Sequence, residues 1–162
     1  MSFARLRASD WVAFLAALAL LFVTAVDWYS TVRGEAAREF EQSAPTRGED
    51  AQLQADAAAA AESQERNAWQ VDGGIDRLIL VGLLGTTALA VYSAFTRASG
   101  RSGAGPIAAT GLAAGVTALL VLYRILQEPG FDEVTTVKIG APLALAVLGV
   151  IAFACASALR DA

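Results

Sequence analysis

The chain contains no histidine and a single cysteine, Cys155. Without histidine there is no Ser-His-Asp triad, no imidazole ligand for a metal and no imidazole that could carry protons. One cysteine forms no intrachain disulfide and supplies no thiolate set for zinc or an iron–sulfur cluster. The sequence also has no Gly-rich phosphate loop after a strand and no nucleophile elbow. We therefore expect no catalytic residues, no metal site, no cofactor and no enzymatic activity.

Charged side chains are scarce as well. They make up 17% of the 162 residues, whereas 56% of the residues are hydrophobic. An ordinary soluble domain has about 45–50% apolar and about 25% charged residues. The 16 acidic and 12 basic side chains give a net charge of −4, which argues against a nucleic-acid partner. The composition instead indicates a lipid bilayer as the main partner.

The apolar residues are concentrated in four long runs. These cover residues 11–30, 75–95, 106–126 and 139–159. A helix needs about 20 apolar residues to cross the hydrocarbon core of a bilayer, and none of the runs alternates with the period of a barrel strand. The sequence therefore predicts an all-α fold, an integral membrane four-helix bundle that forms one domain over residues 1–162.

The first run has an alternative interpretation as a cleaved signal peptide. Arg5 and Arg7 would form its basic start, residues 12–26 its apolar stretch, and Val23-Thr24-Ala25 its cleavage site. The aromatic pair Trp28-Tyr29 at the far end of the run favours a retained span, because such rings anchor helices at the membrane interface.

Basic residues flank the short connections, whereas most acidic residues lie in the long connection at 33–74. The basic residues near the short connections and termini are Arg5, Arg7, Arg97, Arg101 and Arg160. Loops rich in Lys and Arg stay in the cytoplasm. We therefore expect a multi-pass protein of the cell membrane with both termini cytoplasmic and residues 33–74 outside.

This outer segment, residues 33–74, is rich in Ala, Glu, Gln and Arg, all of which favour helix. Two helical pieces are expected. The first continues the first span as far as Gln42, and the second begins between Gly48 and Ala51 and ends before Asp72. Because its apolar side chains are mostly alanine, the segment can bury little area and cannot form a core of its own.

Three interpretations of the outer segment remain open. The preferred one is a solvated helical hairpin that rests on the bundle. The second is an arm that contacts another membrane or envelope protein through Phe40, Leu53 and Trp69. The third is disorder over much of the segment, because an Ala-rich polar helix of this length is only marginally stable in water.

Several ionisable residues fall near the outer ends of the predicted spans. A helix C-terminus disfavours a carboxylate and favours a cation, so Asp27 would need a basic partner there and Arg124 is well placed. The sequence therefore predicts a structural ion pair between Asp27 and Arg124, with Asp76 and Lys138 as secondary candidates. Binding of a ligand or ion at this end is the alternative.

Glycines within the spans predict close contacts between helices. Gly82 and Gly85 lie in the second run, and Gly111 and Gly115 form a Gly-xxx-Gly pair in the third. Small residues of this kind let helix backbones approach one another in a membrane. Packing within the chain is the first interpretation of both pairs.

The middle of the spans contains only weakly polar side chains. The hydroxyl-bearing ones are Thr86, Thr87, Ser93, Thr110 and Thr117. Such groups usually bond a carbonyl one turn back or a neighbouring helix, and a polar pore lining is the alternative. Cys155 is expected to be a small buried hydrophobic residue.

Short motifs at the ends of the spans resemble those of a known group of proteins. They are Asp-Trp-Tyr-Ser at 27–30, Ala68-Trp69 before Asp76, and Leu-Tyr-Arg-Ile-Leu at 122–126 followed by Glu-Pro-Gly at 128–130. Together they resemble small four-helix integral membrane proteins of high-GC Gram-positive bacteria. The resemblance implies a topology and no particular activity. The Ala/Glu-rich insertion in the first outer connection departs from that pattern.

The sequence favours a non-enzymatic integral membrane protein, a structural or accessory component of the cell envelope. The alternative is a small transporter or channel subunit. That function would require an oligomer, with a pathway built from Thr86, Thr87, Thr110 and Thr117.

Overall fold

The computed structural model describes residues 6–43, 49–70, 73–101, 103–127 and 135–160. Over these residues the chain forms six helices and three short strands. In chain order they are α1 Ala8–Val23, β1 Asp27–Thr31, α2 Val32–Ser43, α3 Glu49–Gln64, β2 Arg66–Asn67, α4 Gly74–Ala98, α5 Ala104–Leu126, β3 Thr135–Val137 and α6 Gly140–Arg160. Arg5, Gly48, Asp72 and the Glu-Pro-Gly motif at 128–130 lie outside the described residues.

Helices α1, α4, α5 and α6 form an antiparallel four-helix bundle. Each helix packs against two others, in the cyclic order α1, α4, α5, α6. The interior is filled by aliphatic side chains that are wholly inaccessible to solvent, among them Leu20, Leu83, Leu148 and Ile151. Alanines of all four helices complete this core and allow the helices to lie close together.

Three of these helices are long and apolar enough to cross a membrane: α4, α5 and α6, with 25, 23 and 21 residues. Their bounds agree within three residues with the predicted runs at 75–95, 106–126 and 139–159. Large apolar side chains also cover the outside of the bundle, where Phe22, Leu112 and Phe153 are more than 70% exposed. A surface of this kind is typical of a membrane protein.

The prediction for the first run was wrong at its C-terminal end. Helix α1 ends at Val23, seven residues before the predicted limit, and residues 27–31 form strand β1. The indole N–H of Trp28 donates to the Val23 carbonyl at 2.9 Å, so a side chain satisfies one of the free carbonyls at the helix end. The aromatic and β-branched residues that follow favour a strand. The prediction that the first helical piece of the outer segment continues the first span was therefore wrong, because β1 separates α2 from α1.

Strand β1 is the central strand of a small antiparallel sheet with the order β2-β1-β3. Tyr29 lies opposite Val137 in β3 and opposite Arg66 in β2. Trp28 and Tyr29 are 2% and 4% exposed, so the predicted role of this pair as an interface anchor was also wrong. A Cβ added at Gly140 would lie 2.5 Å from the Trp28 ring. The start of α6 therefore packs directly against β1.

Helices α2 and α3 form an antiparallel hairpin beside the sheet. They approach closely at Gly34, where an added Cβ would lie 2.9 Å from Gln64 Cβ. Ala61 is completely buried, and α2 also packs against β1. The two expected helical pieces are present, although the second ends at Gln64. We call the sheet and this hairpin, residues 27–43, 49–70 and 135–138, the cap.

The predicted packing glycines behave in two ways. A Cβ added at Gly82 would lie 2.5 Å from Thr117 Oγ1, and one at Gly111 would lie 3.1 Å from Cys155 Cβ. These two residues therefore allow close approach of α4 to α5 and of α5 to α6. Added Cβ atoms at Gly85 and Gly115 would meet no neighbouring atom within 4 Å. The expectation of close backbone contact was wrong for these two positions.

Gly82→Ala should destabilise the bundle by about 1–3 kcal/mol, because the added methyl group overpacks the contact with Thr117. Gly85→Ala is the matched control on the same helix, and its stability should be unchanged or slightly raised because alanine favours helix. Thermal unfolding of both variants in detergent measures the difference. Equal stabilities would contradict the close packing of α4 against α5 at Gly82.

Candidate functional site

The cap end of the bundle holds a buried ion pair between α4 and α5. Arg124 donates from Nε to Asp76 Oδ1 at 2.8 Å and from Nη2 to Asp76 Oδ2 at 2.6 Å. The side chains of Arg124 and Asp76 are 14% and 5% exposed. A Cβ at Gly73 would lie 2.1 Å from Asp76 Oδ2, so only glycine leaves room for the carboxylate there. The two-point geometry fixes the end of α5 against the start of α4.

The predicted pairing of Arg124 with Asp27 was therefore wrong. The prediction assumed that Asp27 lies at the C-terminus of a helix and needs a cation there. Because α1 ends at Val23, Asp27 instead begins strand β1. Asp76 lies in the first turn of α4 and Arg124 in the last turn of α5, so each charge is favoured by its own helix end. The secondary candidate Asp76 is thus the partner of Arg124.

Asp27 takes part in a second cluster within the cap, around the buried side chain of Glu65. Arg38 of α2 donates from Nε to Glu65 Oε1 at 3.0 Å and from Nη2 to Glu65 Oε2 at 2.7 Å. Lys138 Nζ lies 3.7 Å from Glu65 Oε1. Asp27 of β1 lies close enough to Glu65 for the charges of the two carboxyl groups to repel each other.

Further ion pairs extend this cluster to the neighbouring elements. Lys138 Nζ pairs with Glu35 Oε1 at 2.5 Å, and Arg38 Nη1 pairs with Glu41 Oε2 at 3.1 Å. The other secondary candidate, Lys138, lies between β3 and α6. It therefore connects this part of the chain with Glu35 of α2 and with Glu65. These ion pairs add to the packing of α2 against β1 in joining the α2–α3 hairpin to the sheet.

The charges of this cluster shift the pKa values of its carboxyl groups in opposite directions. Burial and the neighbouring charge of Glu65 raise the pKa of Asp27. The hydrogen bonds from Arg38 lower the pKa of Glu65. Asp27 is therefore the carboxyl group of the two that becomes protonated first as the pH falls.

An open cleft of about 440 Å³ lies beside the cluster. Its lining is almost entirely polar and consists of Asp27, Arg38, Glu62, Ser63, Glu65, Arg66, Asn67 and Gln70. Charges of both signs are present, and those of Arg38 and Glu65 are already neutralised by each other. Within the described ranges, no group of three or more Cys, Asp or Glu side chains is arranged to hold a metal ion.

A second buried ion pair, which the sequence analysis missed, lies at the opposite end of the bundle. Arg97 Nη1 donates to Asp10 Oδ2 at 3.0 Å, and the same oxygen accepts from the Arg7 N–H at 3.0 Å. The side chains of Arg97 and Asp10 are 11% and 5% exposed. In the sequence Arg97 served only as an orientation signal, and Asp10 was not among the candidates for an ion pair. Eighty-seven residues separate the two, and nothing local in the sequence connects them.

The five hydroxyl-bearing residues of the spans are all buried; two of them bond within their own helices, whereas Thr86 Oγ1 has no hydrogen-bond partner among the described residues. Thr87 Oγ1 donates to the Leu83 carbonyl at 2.9 Å, and Thr110 Oγ1 donates to the Pro106 carbonyl at 2.8 Å. Ser93, Thr110 and Cys155 line a void of about 10 Å³, which is room for about one water molecule. Cys155 is 4% exposed, as expected for a small hydrophobic residue.

The three proposed anchors of the outer segment do not lie together. Phe40 is on α2, Leu53 is on α3, and Trp69 is in the turn that follows β2; the three are 48%, 55% and 54% exposed. Phe40 and Leu53 flank a contact in which Gln54 Nε2 donates to the Glu41 carbonyl at 2.6 Å. Trp69 Nε1 donates to Thr24 Oγ1 at 3.1 Å, beside the end of α1.

Comparisons of the chain with protein families, with curated protein sequences and with solved structures find no match. The resemblance to small four-helix membrane proteins stays a prediction.

Arg124→Ala and Asp76→Asn should each destabilise the bundle by about 2 kcal/mol or more, because each leaves a largely buried charge without its partner. The double variant should lose less than the sum, with a coupling of about 1 kcal/mol. Asp27→Asn combined with Arg124→Ala is the matched control and should be additive. Unfolding in detergent measures both cycles. Coupling of Arg124 to Asp27 alone would contradict the assignment of the pair.

Asp27→Asn should stabilise the cap at neutral pH. The substitution removes the negative charge next to Glu65, and the new amide group can donate a hydrogen bond to the Glu65 carboxylate. In the native protein the raised pKa of Asp27 means that stability is lost as the pH rises through that pKa. The lowered pKa of Glu65 means that its contribution is lost as the pH falls through that pKa. Stability of the cap should therefore be greatest where Asp27 is protonated and Glu65 is ionised.

Limited proteolysis of the cap across a pH series measures this effect. Asp56→Asn changes the same charge at an exposed position on α3 and should leave the profile unaltered. A cap that becomes less resistant at neutral pH in Asp27→Asn would show that Asp27 is stabilised as a carboxylate.

Proposed function

We propose that the protein is a non-enzymatic integral membrane protein that serves as a structural or accessory component of the cell envelope. In this proposal α1, α4, α5 and α6 all span the cell membrane, both termini are cytoplasmic, and the cap lies outside the cell. The observation that carries it is the division of the molecule into an apolar bundle closed by an ion pair at each end and a polar cap attached to one end.

The use of the polar groups in the bundle supports a structural function. Asp76 and Asp10 are occupied by Arg124 and Arg97, and the hydroxyl groups of Thr87 and Thr110 donate to carbonyls of their own helices. The two ion pairs hold neighbouring helices together, and the two hydroxyl groups are already bonded within their own helices, so none of these groups is left to line a polar pathway.

The fourth span in this proposal is α1, which is short. Its 16 residues extend about 24 Å, whereas a hydrocarbon core is about 30 Å thick. Beyond the helix the chain continues into β1, whose backbone is paired on both edges. Backbone that is bonded within the protein is tolerated at membrane depth. The short helix α1 therefore reaches the headgroup region, where β1 and the rest of the cap begin.

The distribution of charge supports the proposed orientation. Arg97, Arg101 and Arg160 lie at the end of the bundle opposite the cap, and the positive-inside rule assigns that end to the cytoplasm. The cap contains most of the acidic residues. Phe40 and Leu53 are half exposed on its hairpin, and aromatic and aliphatic side chains of this kind serve as contacts for a protein partner.

Transport through a single chain receives little support. The void beside Ser93 and Thr110 has room for about one water molecule, and the surrounding interior is filled by leucine, isoleucine and alanine side chains. A pathway lined by the threonines would require several copies of the chain.

Reporter fusions test the topology. A reporter placed after Ala162 should be active in the cytoplasm, and one placed between α2 and α3 should be active outside, because the arginine-rich connections hold the first end inside. The two fusions control for each other. Detection of both reporters in one compartment would contradict the proposed arrangement of spans.

The native mass of the protein in lipid nanodiscs separates the two functions. An accessory protein with a closed bundle should be a monomer that gives no ion flux when it is reconstituted in vesicles. A stable homo-oligomer with measurable flux would contradict the proposal and support the channel alternative.

A further inference from the structure

Trp69 is held in an unusual position for an exposed tryptophan. Its ring is 54% exposed, yet its indole N–H donates to the Thr24 hydroxyl at 3.1 Å. The next contact along the chain is from the Ala68 N–H to the Thr24 carbonyl at 3.3 Å. The turn at residues 66–70 is therefore fixed against the last turn of α1, on the outside of the bundle.

The depth of this contact follows from the packing of α1 against α4. Thr87 Oγ1 lies 3.4 Å from the Ala17 carbonyl, so these two residues are at the same level of the bundle. Asp76 is eleven residues beyond Thr87, or about 16 Å, and Thr24 is seven residues beyond Ala17, or about 10 Å. Thr24 thus lies about 6 Å closer to the middle of the bundle than Asp76 does.

Arg77, which is exposed on α4 directly after Asp76, marks the level of Asp76 as one at which charge is tolerated. Ionised side chains near the ends of spans extend towards the headgroups, because the hydrocarbon core disfavours them. Trp69, about 6 Å deeper, then lies at the boundary between headgroups and acyl chains. In the last turn of α1, Leu21 and Phe22 are 39% and 77% exposed and form part of the apolar surface of the bundle.

The backbone of the turn is suited to this environment, because its N–H groups are bonded within the protein. The Asn67 N–H donates to Gln70 Oε1 at 3.2 Å, and the Trp69 N–H donates to Asn67 Oδ1 at 3.0 Å. The Gln70 N–H donates to the Asn67 carbonyl at 3.1 Å, and the Ala68 N–H reaches Thr24. The four successive backbone N–H groups of residues 67–70 therefore need no hydrogen bonds to water. A turn can contact lipid only when its backbone groups are satisfied in this way.

We infer that the turn at residues 66–70 is a lipid-contacting element, with the Trp69 ring at the headgroup–acyl boundary of the leaflet on the cap side. Its partner is the bilayer itself. The turn covers the membrane depth that the short helix α1 leaves uncovered, and Trp69 replaces the Trp28-Tyr29 pair as the anchor at that end. The inference rests on the proposed function, because it requires the bundle to lie in a membrane.

Tryptophan fluorescence in nanodiscs tests the inference. The protein has three tryptophans: Trp11, Trp28 and Trp69. Trp28 is 2% exposed and serves as a common background that quenchers do not reach. The Trp11→Phe variant then reports on Trp69, and the Trp69→Phe variant reports on Trp11 near the other end of α1. Each is measured with lipids brominated near the headgroup, with lipids brominated near the bilayer centre, and with aqueous iodide.

In Trp11→Phe we expect strong quenching by the lipid brominated near the headgroup, weaker quenching by the lipid brominated near the centre, and little quenching by iodide. This order follows from an indole at the interface, about 5–10 Å into the boundary region. Quenching of this variant by iodide and by neither lipid would overturn the inference and would leave Trp69 as a surface for a protein partner. In that case Trp69→Phe should still be quenched by lipid through Trp11. If neither variant responds to brominated lipid, the membrane insertion itself is wrong.

Discussion

The pairing of strand β1 along both of its edges is the constraint on which the cap end of the molecule depends. A chain that leaves a helix and is then buried must satisfy its backbone within the protein, and β1 does so through β2 and β3. The strand also brings Trp28 against Gly140 at the start of α6. The buried Tyr29 ring lies beside the void that Asp76 also lines. The short helix, the sheet and the contacts of α4 and α6 with the cap are therefore parts of one arrangement.

Charge has two different functions in this structure. The Arg124–Asp76 and Arg97–Asp10 pairs are largely buried and each connects two helices of the bundle. In the cap, Glu65 contacts the cations Arg38 and Lys138 and is also close to the carboxyl group of Asp27. Two basic side chains there face several carboxyl groups. The first arrangement gives a fixed geometry. The second makes the stability of the cap depend on protonation.

The long helices could be predicted from the sequence because hydropathy and length alone determine where a chain can cross a bilayer. Helix α3 could be predicted from its composition. It begins at Glu49, within the predicted range from Gly48 to Ala51. Strand β1 could not be predicted in this way, because its partners lie more than thirty residues away in β2 and more than one hundred in β3. The apolar and aromatic residues that follow Val23 suggested a longer helix. Tertiary contacts, which the local sequence does not show, place residues 27–31 in a strand instead.

The ion pairs were predicted less well than the helices, and the reasons differ from one pair to the next. The assignment of Asp27 followed correctly from the helix dipole but depended on a helix end that lies at Val23 instead. Asp76 was named among the candidates because of its position alone. The Arg97–Asp10 pair carried no local signal at all, since its members lie on helices that become neighbours only when the bundle closes. Of the four glycines, those at 82 and 111 face a neighbouring helix and those at 85 and 115 do not, a distinction that the Gly-xxx-Gly spacing does not contain.

The sheet order also has a consequence for synthesis. Strand β3 lies between α5 and α6, so during translation it follows both α1 and β1 by about a hundred residues, and domains form from the N-terminal side as the chain emerges. Until β3 is made, one edge of β1 has no partner in the sheet, and the start of α6 is not yet available to cover Trp28. The far end of α1, the first helix to be made, is thus covered only when the last helix has been made.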